Sequence, residues 1–264
     1  MKRIFSIAFC VLMLCSMLLI GTVIATEPGY SVLMENYGGT AITLDGKYTN
    51  AAEWADAWNE HQFPASANAR FMYKMVAGDA YMMTYLVEFA DTTNDAGDIW
   101  RICIDGDADG GAAPNSNDNK IEITGHTTCK TYVGNGTGWA PMASSSMILW
   151  NNSLTTSTYL AANHWVLEVQ FDKAALGAWG ANPPPEGLFV GMYDASNTAQ
   201  GWVMWPATSA DNPQRWGSIG TYGTEIPEGL SFAVVVALSS VAIVVGTIYL
   251  RKKPKTTITT PMKL

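Results

Sequence analysis

Four aspartates with regular spacing lie in one stretch of the sequence, WRICIDGDADGGAAPNSND over 100–118. Asp105, Asp107 and Asp109 follow a predicted strand over 100–104, and Asn117 and Asp118 close the stretch. The glycines between them permit a tight loop that turns several carboxylates toward one centre. Carboxylate and amide oxygens are the ligands that calcium prefers in proteins. The stretch therefore predicts a calcium site built from Asp105, Asp107, Asp109, Asn117 and Asp118.

The first half of this stretch has the spacing with which an EF-hand loop begins, Asp-x-Asp-x-Asp-Gly. Counted from Asp105, the twelfth position is Ser116, which cannot supply the bidentate carboxylate of an EF-hand. Two interpretations remain: a calcium loop without flanking helices, and a solvated acidic loop without an ion.

Ten tryptophans are the second chemical feature of the chain. Flat aromatic rings stack on the apolar faces of sugars, while neighbouring polar groups meet the hydroxyls. Most of the ten fall in predicted strands or a predicted helix and are expected in the core. Those in predicted loops, or where a predicted strand enters a loop, are candidates for a sugar-binding surface: Trp139, Trp179, Trp205 and Trp216.

Motifs for catalysis are missing from the sequence. It contains no nucleophile elbow, no phosphate-binding loop and no carboxylate pair that stands apart from the acidic background. The three histidines have no HxxxH or CxxC companion, so a zinc site is not indicated. The sequence therefore predicts a protein that is not an enzyme.

Charge is distributed unevenly along the chain. All 23 acidic residues lie between Glu27 and Glu228, where only eight basic residues occur, so this portion has a formal charge of −15. Nucleic acid is excluded as a partner, because its phosphate backbone requires a basic face. Such acidity suits cation binding and solubility outside a cell.

Two of the four cysteines, Cys103 and Cys129, lie in predicted strands of the acidic portion. In an oxidising compartment they are expected to form a disulfide that closes a loop of about 26 residues, worth roughly 3 kcal/mol. The other interpretation is two buried thiols.

Hydrophobic segments lie at both ends of the chain. The first, over 1–25, begins with two basic residues and has a small-residue exit, which is typical of a signal peptide, although its length also fits a retained anchor. The second, over 229–250, has 22 residues without a charge and precedes a basic tail over 251–264. Because basic flanks stay in the cytoplasm, both ends predict a single-pass cell-membrane protein whose domain over 26–225 faces the exterior.

Short alternating segments separated by turn residues occupy the rest of the sequence. They predict about ten strands, over 70–76, 81–89, 100–104, 120–124, 128–133, 147–150, 155–160, 165–171, 188–193 and 201–205. Before these, a strand with a turn is predicted over 27–39 and a short strand over 41–44. A capping pattern predicts one short helix over 51–58 that turns Trp54 or Trp58 inward. This spacing favours an all-β fold, a two-sheet antiparallel β-sandwich of the jelly-roll or immunoglobulin-like kind.

Four segments occur in a familiar order: ITLDGKYTNAAEWADAW, VAGDAYMMTYLVEFAD, DIWRICIDGDADGG and HWVLEVQFDKAALG. Over most of 40–217 they resemble the family 9 carbohydrate-binding modules and the wider DOMON-like β-sandwiches. The resemblance implies a binding module, often with structural calcium. The tryptophan that these modules commonly place before the strand at 99–105 is missing, since that loop reads DTTND. The closing loop WPATSADNPQRWGSIG resembles theirs, so Trp205 and Trp216 remain candidate platforms.

Two further resemblances bear on function. Some DOMON-like domains hold haem b between a methionine and a histidine or lysine, and this portion offers Met72, Met75, Met82, Met83, Met192 and Met204. Pro227-Glu228 before the apolar segment resembles the tail of archaeal surface proteins.

The function expected from the sequence is a non-catalytic, calcium-stabilised module that binds a glycan or another cell-surface polymer from a membrane anchor. The alternatives are a structural or adhesive surface protein with the same scaffold, and a haem-carrying electron-transfer domain.

Overall fold

A computed structural model describes residues 31–34, 40–49, 51–63, 68–76, 79–142, 148–172 and 186–221. In this part of the chain the fold is a sandwich of two sheets with one short helix, α1, at Ala51–Trp54. Neighbouring strands are antiparallel, except for the parallel pair β1 and β13. The strands are β1 Ser31–Met34, β2 Trp58–Gln62, β3 Ala69–Val76, β4 Asp79–Phe89, β5 Ile99–Asp105, β6 Asp118–Thr124, β7 Thr128–Gly134, β8 Trp139–Pro141, β9 Ile148–Thr155, β10 His164–Asp172, β11 Glu186–Tyr193, β12 Trp202–Trp205 and β13 Gly217–Thr221.

The larger sheet has the order β1-β13-β11-β5-β6-β7-β8, and β12 also pairs with β11. The smaller sheet has the order β2-β3-β4-β10-β9. Successive side chains of a strand point to opposite faces of the sheet, so one face of each sheet packs against the other sheet. On β10, for example, Trp165, Leu167, Val169 and Phe171 all enter the main core, as the alternation predicts.

The outer face of the smaller sheet is covered by the loop over 40–49 and by α1. Trp54 of α1 packs on Met72, Leu86 and Val166 in a separate small cluster. Its indole Nε1 donates to Glu168 on β10 at 3.1 Å. The prediction that a helical tryptophan turns inward is therefore confirmed for Trp54.

Three sequence-based elements differ from the structure. The helix predicted over 51–58 stops at Trp54, because the chain turns there and β2 begins at Trp58 to pair with β3. The strand predicted over 41–44 is not formed, since this segment lies as a loop over β10. The strand predicted over 155–160 is not formed, because β9 ends at Thr155 and a turn follows in which the Ser157 hydroxyl accepts the N–H groups of Tyr159 and Leu160.

The predicted disulfide is wrong, because Cys103 and Cys129 are both free thiols. Cys103 on β5 faces outward and packs on Phe189 and Trp216, whereas Cys129 on β7 packs against the main core from the inner face. Their register positions lie two strands and three residues apart, about 10 Å in each direction. A disulfide tolerates at most about 7 Å between Cα atoms.

The predicted hydrophobic segments over 1–25 and 229–250 and the tail over 251–264 lie outside the described residues. Among the residues that the structure does describe, no helix has the length and apolar character needed to span a bilayer.

Candidate functional site

The acidic loop connects β5 to β6 at one end of the larger sheet. Asp105, the last residue of β5, pairs in register with Asp118, the first residue of β6. Both aspartates are fully buried. The loop between them turns back over the strand ends, where the N–H of Gly106 donates to the carbonyl of Asn117 at 3.2 Å. The register of β5 and β6 therefore brings together carboxylates that lie 13 positions apart in sequence.

Each of the two buried carboxylates uses one oxygen within the loop. Asp105 Oδ2 accepts the N–H of Gly110 at 2.9 Å, and Asp118 Oδ2 accepts the N–H of Asn115 at 2.6 Å. The Oδ1 atoms of Asp105, Asp107 and Asp118 are buried and accept no hydrogen bond from the described residues. Because buried polar atoms are normally satisfied, three bare carboxylate oxygens in one loop fit a cation with oxygen ligands.

The ligating atoms of Asp105, Asp107 and Asp109 lie within 4.8 Å of one another. Burial, together with repulsion from Asp107 and Asp109, raises the pKa of Asp105 to about 7. Burial and the same group of aspartates raise the pKa of Asp118 to about 8. Without a cation, the loop therefore takes up protons near neutral pH to relieve its own charge.

The asparagines of the loop orient its carboxylates. Asn117 Nδ2 donates to Asp107 Oδ2 at 2.6 Å, and Asn115 Nδ2 donates to Asp109 Oδ1 at 2.8 Å. The amide oxygen of Asn115 accepts the backbone N–H of Asn117. Asn117, expected as a ligand, thus lies at the site and contacts one of the expected carboxylate ligands.

A second carboxylate cluster, which the sequence did not predict, lies around Asp98 just before β5. Ligating atoms of Asp91, Asp98 and His126 lie within 4.8 Å of one another, as do those of Asp95, Asp98 and Asp194. All of them except Asp95 are buried. The aspartates over 91–98 are visible in the sequence, but His126 and Asp194 reach the cluster only through the folding of distant segments.

Hydrogen bonds within the protein already satisfy both carboxylate oxygens of Asp98, at the centre of this second cluster. Asp98 Oδ1 accepts the N–H of Ala195 at 2.9 Å, while Oδ2 accepts the N–H of Asp95 and lies 3.0 Å from His126 Nε2. The His126 ring also stacks on Trp165 with centroids 3.6 Å apart. Burial and the charges of Asp194 and Asp98 raise the pKa of Asp91. Because both oxygens of Asp98 are already hydrogen-bonded, the acidic loop fits a cation better.

The expectation that Trp205 lies on the surface is wrong. Trp205 is 2% exposed and belongs to the main core, where its ring lies edge-on to Phe71 at 4.9 Å. Trp205, the last residue of β12, pairs with Val190 of β11, and both side chains point between the sheets. A Cβ at Gly217 would lie 2.4 Å from the Trp205 ring, so the glycine makes room for the indole.

Trp216 is also buried, at 0% exposure, and the surface expectation fails for it too. It lies outside the larger sheet, where the loop over 206–216 covers Phe189 and Cys103. Its Nε1 donates to the carbonyl of Ser209 at 3.0 Å, which ties it into that loop. Trp216 is therefore a packing residue beneath the closing loop.

Of the candidate platforms in the described residues, Trp139 alone reaches the surface. Its half-buried ring lies parallel to Trp216 with centroids 6.3 Å apart. Its Nε1 donates to Asp211 at 2.8 Å. Trp179 lies outside the described part of the chain.

The methionines considered for haem are distributed over the sandwich. Met83 and Met192 fill the main core, and Met72 lies in the cluster beneath α1. Met82 and Met204 are half-buried. The side chain of Met75 lies outside the described set.

The fold has a solved counterpart. A family 9 carbohydrate-binding module from Caldicellulosiruptor kristjanssonii, in complex with cellotriose, matches with a TM-score of 0.50 over 75% of this chain and 98% of that one, at 14% identity. The glucose complex of a family 9 module from the same organism matches with a TM-score of 0.49 over 74% and 99%, at 13% identity. The chain has the fold of a family 9 carbohydrate-binding module. No protein-family model matches the sequence, and no curated protein matches it significantly.

Within this family 9 fold, the acidic loop occupies the connection between two central strands of the larger sheet, and the Asp98 cluster occupies the connection before β5. The resemblance seen in the sequence is thus confirmed at the level of the fold. At 14% identity it does not carry the position of a ligand from one chain to the other.

Proposed function

We propose that this chain is a non-catalytic carbohydrate-binding module presented at the outer surface of a cell. The observation that carries the proposal is the family 9 fold, because the solved module with this fold is a carbohydrate-binding module in complex with cellotriose. The half-buried rings of Trp139 and Trp202 at the surface support it, since sugar rings stack on exposed aromatic faces.

Calcium belongs to the proposal as a structural ion in the acidic loop. Its support is the set of three buried carboxylate oxygens, on Asp105, Asp107 and Asp118, that accept no hydrogen bond from described residues. These residues would hold the ion, and Asn115 and Asn117 would keep the carboxylates oriented. The ion would fix the strand ends of β5 and β6.

Anchoring in a membrane is supported by the sequence. The apolar segment over 229–250 and the basic tail over 251–264 suit a single span with a cytoplasmic C-terminus. The acidic domain would then face the exterior, where cell-wall or environmental glycans occur.

Glycan-array binding tests the proposal directly. The full-length chain, solubilised in a polyoxyethylene detergent without a sugar headgroup, is expected to bind a restricted set of polysaccharides. A heat-denatured sample is the control for non-specific adhesion. A blank array from folded, calcium-saturated protein would contradict sugar binding and would favour a structural or adhesive role for the same scaffold.

A further inference from the structure

The outer face of the larger sheet gathers charged and aromatic side chains in rows. Arg101, Glu122 and Lys130 are register neighbours on β5, β6 and β7. The flanking Ile102, Ile121 and Ile123 point into the main core, so this row points outward. We call the following set the cationic face: Arg101, Lys120, Glu122, Lys130, Tyr132 and Trp202.

The formal charge of this face is opposite in sign to that of the whole domain. Three of the eight basic residues between Glu27 and Glu228 lie on it, although that portion carries a formal charge of −15. One acid, Glu122, lies among them, and a second, Asp211 of the closing loop, borders the face through its hydrogen bond with Trp139. Arg70 and Lys74 are buried in ion pairs on the smaller sheet, and Lys120 is likewise buried beside Glu122. The cations of the face that reach solvent are the partly exposed Arg101 and the exposed Lys130. Positive charge is therefore concentrated where the chain otherwise has little of it.

Neighbouring side chains orient Arg101, but they leave part of its guanidinium group available to a ligand. Its guanidinium lies over the Trp202 ring, 4.2 Å from the centroid, and its Nε bonds Glu122 Oε2 at 2.7 Å. The Nη groups make no hydrogen bond to the described residues, and 24% of the side chain is exposed. An arginine oriented in this way offers paired N–H groups to an incoming carboxylate at little entropic cost.

Lys120 is held similarly on the next row. Its Nζ lies 4.1 Å from the Tyr132 ring centroid, 5.3 Å from that of Trp139 and 3.4 Å from Glu122 Oε2. The Tyr132 hydroxyl also donates to Glu122, at 3.4 Å. Glu122 thus contacts Arg101, Lys120 and Tyr132 and fixes their positions, whereas Lys130 beside it is exposed.

We infer that the cationic face binds an acidic polysaccharide, with sugar carboxylates contacting Arg101 and Lys130 and ring faces or edges contacting Trp202 and Tyr132. The inference rests on the proposed carbohydrate-binding function and names its ligand class. Arg101 and Lys130 are two strands apart, about 10 Å, which is comparable with the length of a disaccharide. Sparse cations between aromatic rings suit a polymer with one carboxylate in every few sugars. A densely charged nucleic acid would instead be repelled by the rest of the domain.

The test is titration of the full-length chain with uronate oligosaccharides, namely hyaluronan, oligogalacturonate and glucuronoxylan fragments, each beside its carboxyl-reduced form. At least one acidic form is expected to bind, more weakly at high salt, and its reduced form at least about tenfold less tightly. Lys130→Gln and Arg101→Gln should each weaken binding about tenfold. Lys47→Gln removes an exposed cation from the loop over the other sheet and should change nothing.

Lys130→Gln keeps the test valid if Arg101→Gln perturbs folding through Glu122, since Lys130 is exposed. Equal affinity for acidic and reduced forms, or full affinity in Lys130→Gln and a folded Arg101→Gln, would overturn the inference and leave sugar binding intact. Binding of neutral glycans alone on the array would do the same. A folded protein that binds neither acidic nor neutral glycans would overturn both.

Discussion

At the scale of single residues, Glu168 shows how a buried charge organises this fold. It lies on the outer face of β10, opposite in parity to Trp165 and Leu167, and is fully buried. Its Oε2 accepts the N–H groups of Asp45 and Gly46 at 2.9 Å, and Oε1 accepts the indole of Trp54. Alternation along β10 turns Glu168 away from the main core, and hydrogen-bond donors rather than solvent surround it there.

Burial raises the pKa of Glu168 from 4.5 to about 7, although the hydrogen bonds from Gly46, Trp54 and Asp45 act to lower it. A carboxyl whose pKa is higher in the folded than in the unfolded state binds more protons when folded, so its contribution to stability is greatest at low pH and is lost as pH rises. The loss occurs between about pH 4.5 and about pH 7.

We therefore predict that Glu168→Gln flattens the pH dependence of the free energy of unfolding in this interval. Urea denaturation of the wild type and the variant at several pH values measures the difference between them. That difference should change steadily from pH 4.5 to pH 7 and stay constant above it. A constant difference across the interval would show that Glu168 does not titrate there.

Trp205 yields a second prediction at this scale. Its burial beside Phe71 in the core means that Trp205→Ala leaves a large cavity. The free energy of unfolding should fall by about 3–5 kcal/mol, measured by chemical denaturation. Trp202→Ala, at a half-buried position on the same strand, is the matched control and should cost less. Equal losses in the two variants would contradict the placement of Trp205.

At the scale of elements, the β5–β6 connection leaves buried carboxylate oxygens without hydrogen-bond donors from the described residues. Both of its strands are central, and their hydrogen-bonded ends place two buried carboxylates side by side. The loop compensates with backbone N–H groups from Gly110 and Asn115, but three carboxylate oxygens remain bare. An element of this kind is expected to gain stability from a bound cation.

We predict that calcium raises the melting temperature, by about 5–10 °C when its concentration is about 100 times the Kd. Differential scanning fluorimetry in EDTA and in calcium measures the increment. Asp118→Asn should abolish it, because this change removes a ligand charge from the loop. Asp211→Asn, at an exposed acid of the closing loop, should keep it.

Asp98→Asn separates the two carboxylate clusters in the same assay. Loss of the calcium increment in this variant, with retention in Asp118→Asn, would move the ion to the second cluster. An unchanged melting temperature in EDTA and calcium would exclude a stabilising ion at either place.

At the scale of the whole molecule, charge and hydrophobicity are separated along the chain. Acidic residues occur only between Glu27 and Glu228, and both flanking segments carry apolar runs with basic neighbours. Such a separation is typical of a protein whose domain and tail lie on opposite sides of a membrane.

We predict that protease added to intact cells cleaves within 26–225 and leaves an epitope at the C-terminus, over 256–264, protected. Immunoblotting before and after permeabilisation measures both regions. Loss of the C-terminal epitope in sealed cells would contradict the topology. So would a domain over 26–225 that stays uncleaved after prolonged digestion of intact, calcium-depleted cells.

The strands that local alternation predicts best are central ones, β4, β5, β6 and β10, because their side chains divide cleanly between core and outer face. The edge strand β2 and the strand β13, which lies next to the edge strand β1, were not predicted. Pairing across the sheet, rather than local pattern, holds Trp58–Gln62 against β3 and Gly217–Thr221 against β11.

The sequence by itself determined the sandwich class, the acidic loop and the charge separation, because each depends on residue types that are close together in the chain. The tertiary structure decided which face of each strand is covered. It buried Trp205 and Trp216, put Cys103 and Cys129 on opposite faces of one sheet, and aligned Arg101, Glu122 and Lys130 in a row. The physical reason is that a period of two defines two faces, but only the partners brought by long-range pairing determine which face meets solvent.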